Sequence, residues 1–179
     1  MTLKATLLDA DAVSRALRRI SFEIIERNHG TTDVCLVGIK RRGVCVAKEL
    51  QKNIAATENV TLPVGVLDIT LYRDDLQKQN DFPTLNDTDI PFDINEKTVI
   101  LCDDVIYTGR TVRAAIDALF SLGRPHAIQF AALVDRGHRE LPIKADFVGK
   151  NIPTSQNEII RVTFPEYDDC GVSVQLFAK

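Results

Sequence analysis

Apolar residues recur along this chain in two rhythms. Val13, Leu17, Ile20 and Ile24 stand four, three and four residues apart, the spacing that stacks side chains on one face of an α-helix. Asp9 or Asp11 can cap that helix, and His29-Gly30 ends it with a glycine free to take the left-handed stop. The second rhythm is a set of short, nearly continuous apolar runs: DVCLVGI (33–39), VGVLDITLY (64–72), TVILCDD (98–104) and AIQFAALVD (127–135). Helical periodicity returns between them in GVCVAKELQKNI and TVRAAIDALFSLG. Strands apolar on both faces that alternate with helices predict an α/β chain whose parallel sheet is covered on both sides. ADFVG, EIIRVTF and GVSVQLF, separated by proline and polar residues, predict a small β-rich addition in the C-terminal third.

Residues 73–97 break both rhythms. They are polar, contain two prolines and show no period, so they predict either a lid over a site or a passive surface excursion. No repeat, low-complexity tract or linker divides the chain, and its 179 residues fit a single domain, 1–179, able to bury a core without metal or disulfide staples.

Charge narrows the function. A net charge of -3 excludes a protein that coats nucleic acid by bulk charge, but leaves room for a local basic patch such as Arg15, Arg18 and Arg19 on the first helix, whose plain alternative is a solvated face. No apolar run approaches the roughly 20 residues that span a bilayer, and acids interrupt the N-terminus too early for a secretory signal, so the expected place is the cytosol, with no membrane partner. Cys35, Cys45, Cys102 and Cys170 lie far apart and form no metal-binding pair; they read as reduced packing thiols.

Candidate chemistry sits where predicted strands end. Lys40-Arg41-Arg42 follows the first run, Tyr72-Arg73-Asp74-Asp75 the second, Asp103 to Thr111 the third, and Asp135-Arg136-Gly137-His138-Arg139-Glu140 the fourth. In a parallel α/β sheet these turns line one crevice. Backbone N–H groups from Ile106 to Thr111, the Thr108 and Thr111 hydroxyls and the dipole of the following helix suit a phosphate dianion, with Gly109 allowing close approach. Asp103 and Asp104 then face whatever carries the phosphate, and ionised carboxylates accept hydrogen bonds from vicinal sugar hydroxyls. A 5-phosphorylated ribose has both ends. Gly38 and Gly43 have the spacing of an NTPase phosphate loop but lack its Lys-Ser/Thr ending, and no G-x-G-x-x-G follows a strand.

VILCDDVIYTGRTVRAA resembles the phosphoribosyl pyrophosphate (PRPP) signature of the type I phosphoribosyltransferases. VGIKRRGV, DITLYRDDL, LVDRGHRELPI and GKNIPTS, in this order, resemble the branch of that family formed by bacterial attenuation regulators of pyrimidine operons that also act as uracil phosphoribosyltransferases. The resemblance implies a type I phosphoribosyltransferase fold: a central, mostly parallel sheet flanked by helices, a small hood from C-terminal (about 135–179) and N-terminal segments, and a long mobile lid. It implies that Val105, Ile106, Tyr107, Thr108, Gly109, Arg110 and Thr111 hold the 5-phosphate, that Asp103 and Asp104 hold the ribose hydroxyls and act in catalysis with Arg73, and that Lys40, Arg41 and Arg42 form the pyrophosphate loop. Arg41 departs from the threonine that this family more often carries there. Val134, Asp135 and Arg136 would lie in the hood over the base. Mg2+ would enter with PRPP, with no all-protein cage and with Asp103 and Asp104 as its candidate protein contacts. Implied partners are PRPP, uracil, UMP or UTP and a pyrimidine operon leader mRNA, the RNA contacts being Arg15, Arg18, Arg19, His138, Arg139, Lys144 and Lys150. The implied assembly is a homodimer or a tetramer. A regulator with vestigial catalysis and a purine-type phosphoribosyltransferase stay open as alternatives.

Overall fold

The structure, a computed structural model, describes residues 1–72 and 87–179. Strand β1 (Thr2–Leu8) and helix α1 (Ala10–Arg27) open the chain. Asp9 caps α1, its carboxylate accepting from the Ala12 N–H at 2.8 Å, and Val13, Leu17, Ile20 and Ile24 are buried as their spacing predicts. At the other end Gly30 takes a positive φ (123°) as expected, and His29 before it does too (φ 54°).

Next come β2 (Val34–Ile39), α2 (Arg42–Glu58), β3 (Val64–Leu67), β4 (Thr98–Ile106), α3 (Arg110–Leu122), β5 (Ala127–Asp135) and β6 (Phe147–Asn151). The five strands form one sheet in the order β3-β2-β4-β5-β6, every neighbouring pair parallel. Alternation explains the continuous apolar runs: Leu36, Ile100 and Leu133 pack with α1 and α2 on one face, while Val37, Leu101 and Ala132 pack with α3 on the other. Strands β7 (Glu158–Thr163) and β8 (Ser173–Ala178) join β1 in a separate antiparallel sheet, ordered β1-β8-β7. That sheet is the hood.

Two expectations need correction. VGVLDITLY is a strand only as far as Leu67, because the Asp68 carboxylate accepts from both the N–H (2.9 Å) and the hydroxyl (2.6 Å) of Thr70 and turns the chain into a short 3-10 helix, Thr70–Tyr72. ADFVG does not belong to the hood: as part of β6 it pairs with β5 at the edge of the main sheet, where Phe147 is buried. Of the predicted lid, 73–97, the structure bears only on the second part. Residues 73–86 lie outside the described residues, but Asp89 exchanges backbone hydrogen bonds with Val66 (2.7 and 2.9 Å) and Ile94 is buried, so the second half is fastened to the core.

Candidate active site

Neighbouring strands β2 and β4 lead into helices that run to opposite sides of the sheet, and a crevice opens between such strand ends. Here it measures about 390 Å³ and is lined by Lys40, Arg41 and Arg42 after β2, Asp68 and Thr70 after β3, and Asp103, Asp104 and Thr111 from β4 and the start of α3. Two glycines set this closeness. A Cβ on Gly38 would stand 2.5 Å from the Val44 Cα, and one on Gly43 would stand 2.4 Å from the Cys102 carbonyl oxygen. Only bare backbone lets the first turn of α2 lie against β4, one residue from Asp103.

The 40–42 turn carries a cis peptide between Lys40 and Arg41. The Lys40 N–H donates to the Leu67 carbonyl at 2.9 Å, its ammonium pairs with Asp87, and Asp68 lies 3.7 Å away. Arg41 is exposed. Arg42 makes a two-pronged pair with Asp168 of the hood, Nε to Oδ2 at 3.2 Å and Nη2 to Oδ1 at 2.7 Å.

Across the crevice Asp103 is buried and Asp104 half-buried. Burial pushes the Asp103 carboxyl well above the usual carboxylate range, and the neighbouring Asp104 charge adds to it. Burial also raises Asp104, against hydrogen bonds from Asp103 and the Val105 N–H and the charge of Arg42. Asp68 differs: burial opposes its ionisation, but the Thr70 hydroxyl and N–H and the Lys40 ammonium outweigh burial and hold it below the usual range.

The predicted phosphate turn divides between two elements. Val105 and Ile106 are still strand, and Tyr107, Thr108 and Gly109 form the turn proper; Gly109 sits at φ 94° as the N-cap of α3, with no side-chain cap. Thr108 accepts from the Arg110 N–H at 3.3 Å, so its hydroxyl closes the turn, while Thr111 lines the crevice. A helix start whose N-cap residue, a glycine in the left-handed region, supplies no side-chain cap is a ready anion receptor. The segment after β5 braces it: Glu140 and Leu141 N–H groups donate to the Thr108 carbonyl (2.9 and 3.2 Å), Arg110 pairs with Glu140 at 2.7 Å, and Arg139 donates to the Tyr107 carbonyl at 2.7 Å.

A family profile described as "Phosphoribosyl transferase domain" matches residues 4–167. The chain is 60% identical over 177 residues, 99% of each chain, to "Bifunctional protein PyrR" of Clostridium perfringens, and 56% identical over 174 residues to the protein of that name from Deinococcus deserti, covering 97% of this chain and 94% of that one. It belongs to the PyrR branch of the phosphoribosyltransferase family. Solved structures share the fold: a hypoxanthine-guanine phosphoribosyltransferase of Bacillus anthracis superposes with a TM-score of 0.73 at 21% identity over 98% of both chains. The hypoxanthine phosphoribosyltransferase of Trypanosoma cruzi gives 0.75 at 15% identity, over 98% of this chain and 97% of that one.

The remaining candidate residues of this PyrR-type chain stand as follows. Arg73 lies outside the described residues. Val134 is fully buried, and Asp135 pairs with Arg139 and accepts from the Gly137 N–H at 2.9 Å. Arg136 is 6% exposed and lies 4.2 Å over the Tyr107 ring, its Nε donating to the Thr154 hydroxyl at 3.2 Å and its Nη2 to the Ser155 and Glu158 carbonyls at 3.5 and 2.7 Å. It joins β5 to the hood. Arg15 and Arg19 meet Lys150 in one groove of about 330 Å³ between α1 and β6, with Arg18 exposed on the same helix. His138 lies 2.6 Å from the Thr154 carbonyl through Nε2, a contact that requires this nitrogen to carry the proton. Arg139 is tied inward to Asp135, Tyr107 and Ile143, whereas Lys144 is exposed. Two site residues escaped the sequence reading. Asp68 sits inside a run that reads as strand, though its Asp-x-Thr spacing is a turn signal; Asp168 is 126 residues from Arg42, beyond any local pattern.

Proposed function

We propose that this crevice transfers 5-phosphoribose from PRPP to uracil, yielding UMP and pyrophosphate, and that the same chain binds pyrimidine operon leader RNA under UMP or UTP control to promote transcription termination. The observation that carries the transferase reading is the convergence of an acid pair, an uncapped helix start and a basic turn on one crevice. The 5-phosphate is held by the start of α3 with Thr111, and Asp103 and Asp104 accept from the ribose hydroxyls. The pyrophosphate lies toward Lys40, Arg41 and Arg42. Attack by uracil N1 on the ribose anomeric carbon forms the N–C bond, breaks the bond to pyrophosphate, and releases the N1 proton to solvent.

Positive charge spreads over the ribose ring as the leaving group departs. The crevice meets it with the Asp103–Asp104 pair, whose ionisation is disfavoured by burial and is favoured by a positive charge developing beside it. The basic turn takes up the charge growing on pyrophosphate. Arg136 keeps the hood segment 154–158 registered over the end of β5. Among the described residues no group of three or more His, Cys, Asp or Glu could hold a metal ion, but the carboxylate and hydroxyl oxygens of Asp68, Asp103, Asp104 and Thr111 suit a hard cation delivered by a phosphate ligand. Mg2+ bound with PRPP supplies charge neutralisation of the pyrophosphate. The groove holding Arg15, Arg19 and Lys150 supports the RNA reading, as a basic concavity on a chain of net acidic charge.

Competition between uracil and hypoxanthine for PRPP in the presence of Mg2+ tests the reaction. UMP as the dominant product supports it, and inosine monophosphate as the dominant product rejects it in favour of a purine-type enzyme.

A further inference from the structure

Arg42 is the first residue of α2 and part of the crevice wall, yet its guanidinium is held from outside the crevice. Asp168, in the connection between β7 and β8, takes it side-on through Nε and Nη2. The carboxylate that does this is itself fixed, since it also accepts from the Phe164 N–H at 3.0 Å and from Arg161 at 3.2 Å, and its side chain is only 3% exposed. A planar guanidinium paired with an immobile carboxylate has one orientation. Side-on pairing through Nε and Nη2 leaves the Nη1 edge for a second partner.

Arg42 and Asp104 line the same crevice, so two anionic groups are candidates for that edge. One is the leaving pyrophosphate. The other is Asp104, which faces Arg42 from across the crevice on β4 and carries the opposite charge. An Arg42 released from Asp168 could close on Asp104, withdrawing both a cation from pyrophosphate and a carboxylate from ribose.

We propose that Asp168 is a positioning residue for the transferase: it anchors Arg42 from the hood so that the guanidinium serves pyrophosphate and stays off Asp104. The inference rests on the reading of the 40–42 turn as the pyrophosphate site.

Kinetics and calorimetry on Asp168→Asn, Arg42→Ala and the double variant test it. Asparagine keeps an acceptor for the Phe164 N–H while removing the charge. Asp168→Asn is expected to raise KM for PRPP and the Kd for magnesium pyrophosphate about tenfold, with KM for uracil within about twofold, the size of one lost charge-assisted contact. Added to Arg42→Ala, it should change neither PRPP nor pyrophosphate affinity further, because there is no guanidinium left to position. Asp168→Glu should recover part of the loss.

A purely structural role for Asp168 predicts equal losses for uracil and PRPP, and the same loss in the Arg42→Ala background; either result overturns the proposal, as does parental affinity for pyrophosphate in Asp168→Asn. Pyrophosphate titration needs no turnover, so it separates this inference from the transferase reading. A parent that binds pyrophosphate in an Asp168-dependent manner but makes no UMP refutes only the latter.

Discussion

Gly43→Ala places a single methyl group where the site requires bare backbone. The new Cβ would lie 2.4 Å from the Cys102 carbonyl oxygen and 3.1 Å from the Asp103 Cα. A carbon-to-oxygen contact relaxes at about 3.3 Å, so α2 and β4 must part by roughly 0.9 Å. No side-chain rotation can absorb this, because both sides of the contact are main chain. Overpacking of this kind costs about 1–3 kcal/mol, and a backbone clash belongs near the upper end. For a chain of this size each kcal/mol lowers Tm by about 2–4 °C, giving a fall of roughly 6–12 °C. The larger effect is on chemistry. Arg42 and Asp103 stand on the two elements driven apart, and a displacement near 1 Å costs about 100-fold in rate. Differential scanning fluorimetry and UMP formation at saturating PRPP read the two effects. A variant within 2 °C and twofold of the parent, both rough bounds of ordinary surface substitutions, would refute the claim that this helix-to-strand contact sets the site.

Asp103→Asn should stabilise the fold at neutral pH while reducing turnover, because burial raises the Asp103 pKa and folding then takes up protons. The sign follows: the cost is absent below the ordinary carboxylate pKa of about 3.9, grows as pH rises toward the folded value, and is complete above it. The Tm advantage of the variant should therefore be present at pH 8 and vanish near pH 3.5; a lower Tm at pH 8 contradicts this. Thiol titration of the native chain should show one fast group, Cys170, since Cys35, Cys45 and Cys102 are buried and burial pushes Cys35 up to about 11 and Cys45 up to about 12. More than one fast thiol would contradict the packing. Arg15→Glu should weaken leader RNA binding and reduce its salt slope by about 1, whereas unchanged affinity in a filter-binding series would remove the α1 groove from the RNA surface.

Local patterns in the sequence carry most of the main sheet. The runs that form β2, β4 and β5 are buried on both faces, so their apolar content is continuous, and Asp9 caps α1 through an interaction three residues long. Strand β1 is not legible. Most of its side chains are exposed, and its partner β8 comes from the opposite end of the chain, so no local period marks it. The short run in β6 resembles hood because its neighbours in sequence are hood; its place beside β5 is a tertiary pairing. The acid pair and the Thr-Gly-Arg-Thr turn after it are legible as candidates because they are contiguous, and Asp103, Asp104 and Thr111 line the crevice together. The sequence marks Arg42 as basic but carries no sign of its tie to Asp168, 126 residues away. Contacts across more than a hundred residues leave no spacing to read.

The role of the acid pair is open to one decisive comparison: UMP formation from uracil, PRPP and Mg2+ by the purified parent beside Asp104→Asn, with UMP binding measured on both. The expected result is UMP from the parent, a fall of at least about 100-fold in the variant, as for loss of a transition-state charge contact, and a variant that remains folded. Equal turnover by the two proteins would remove Asp104, and with it the acid pair, from the chemistry.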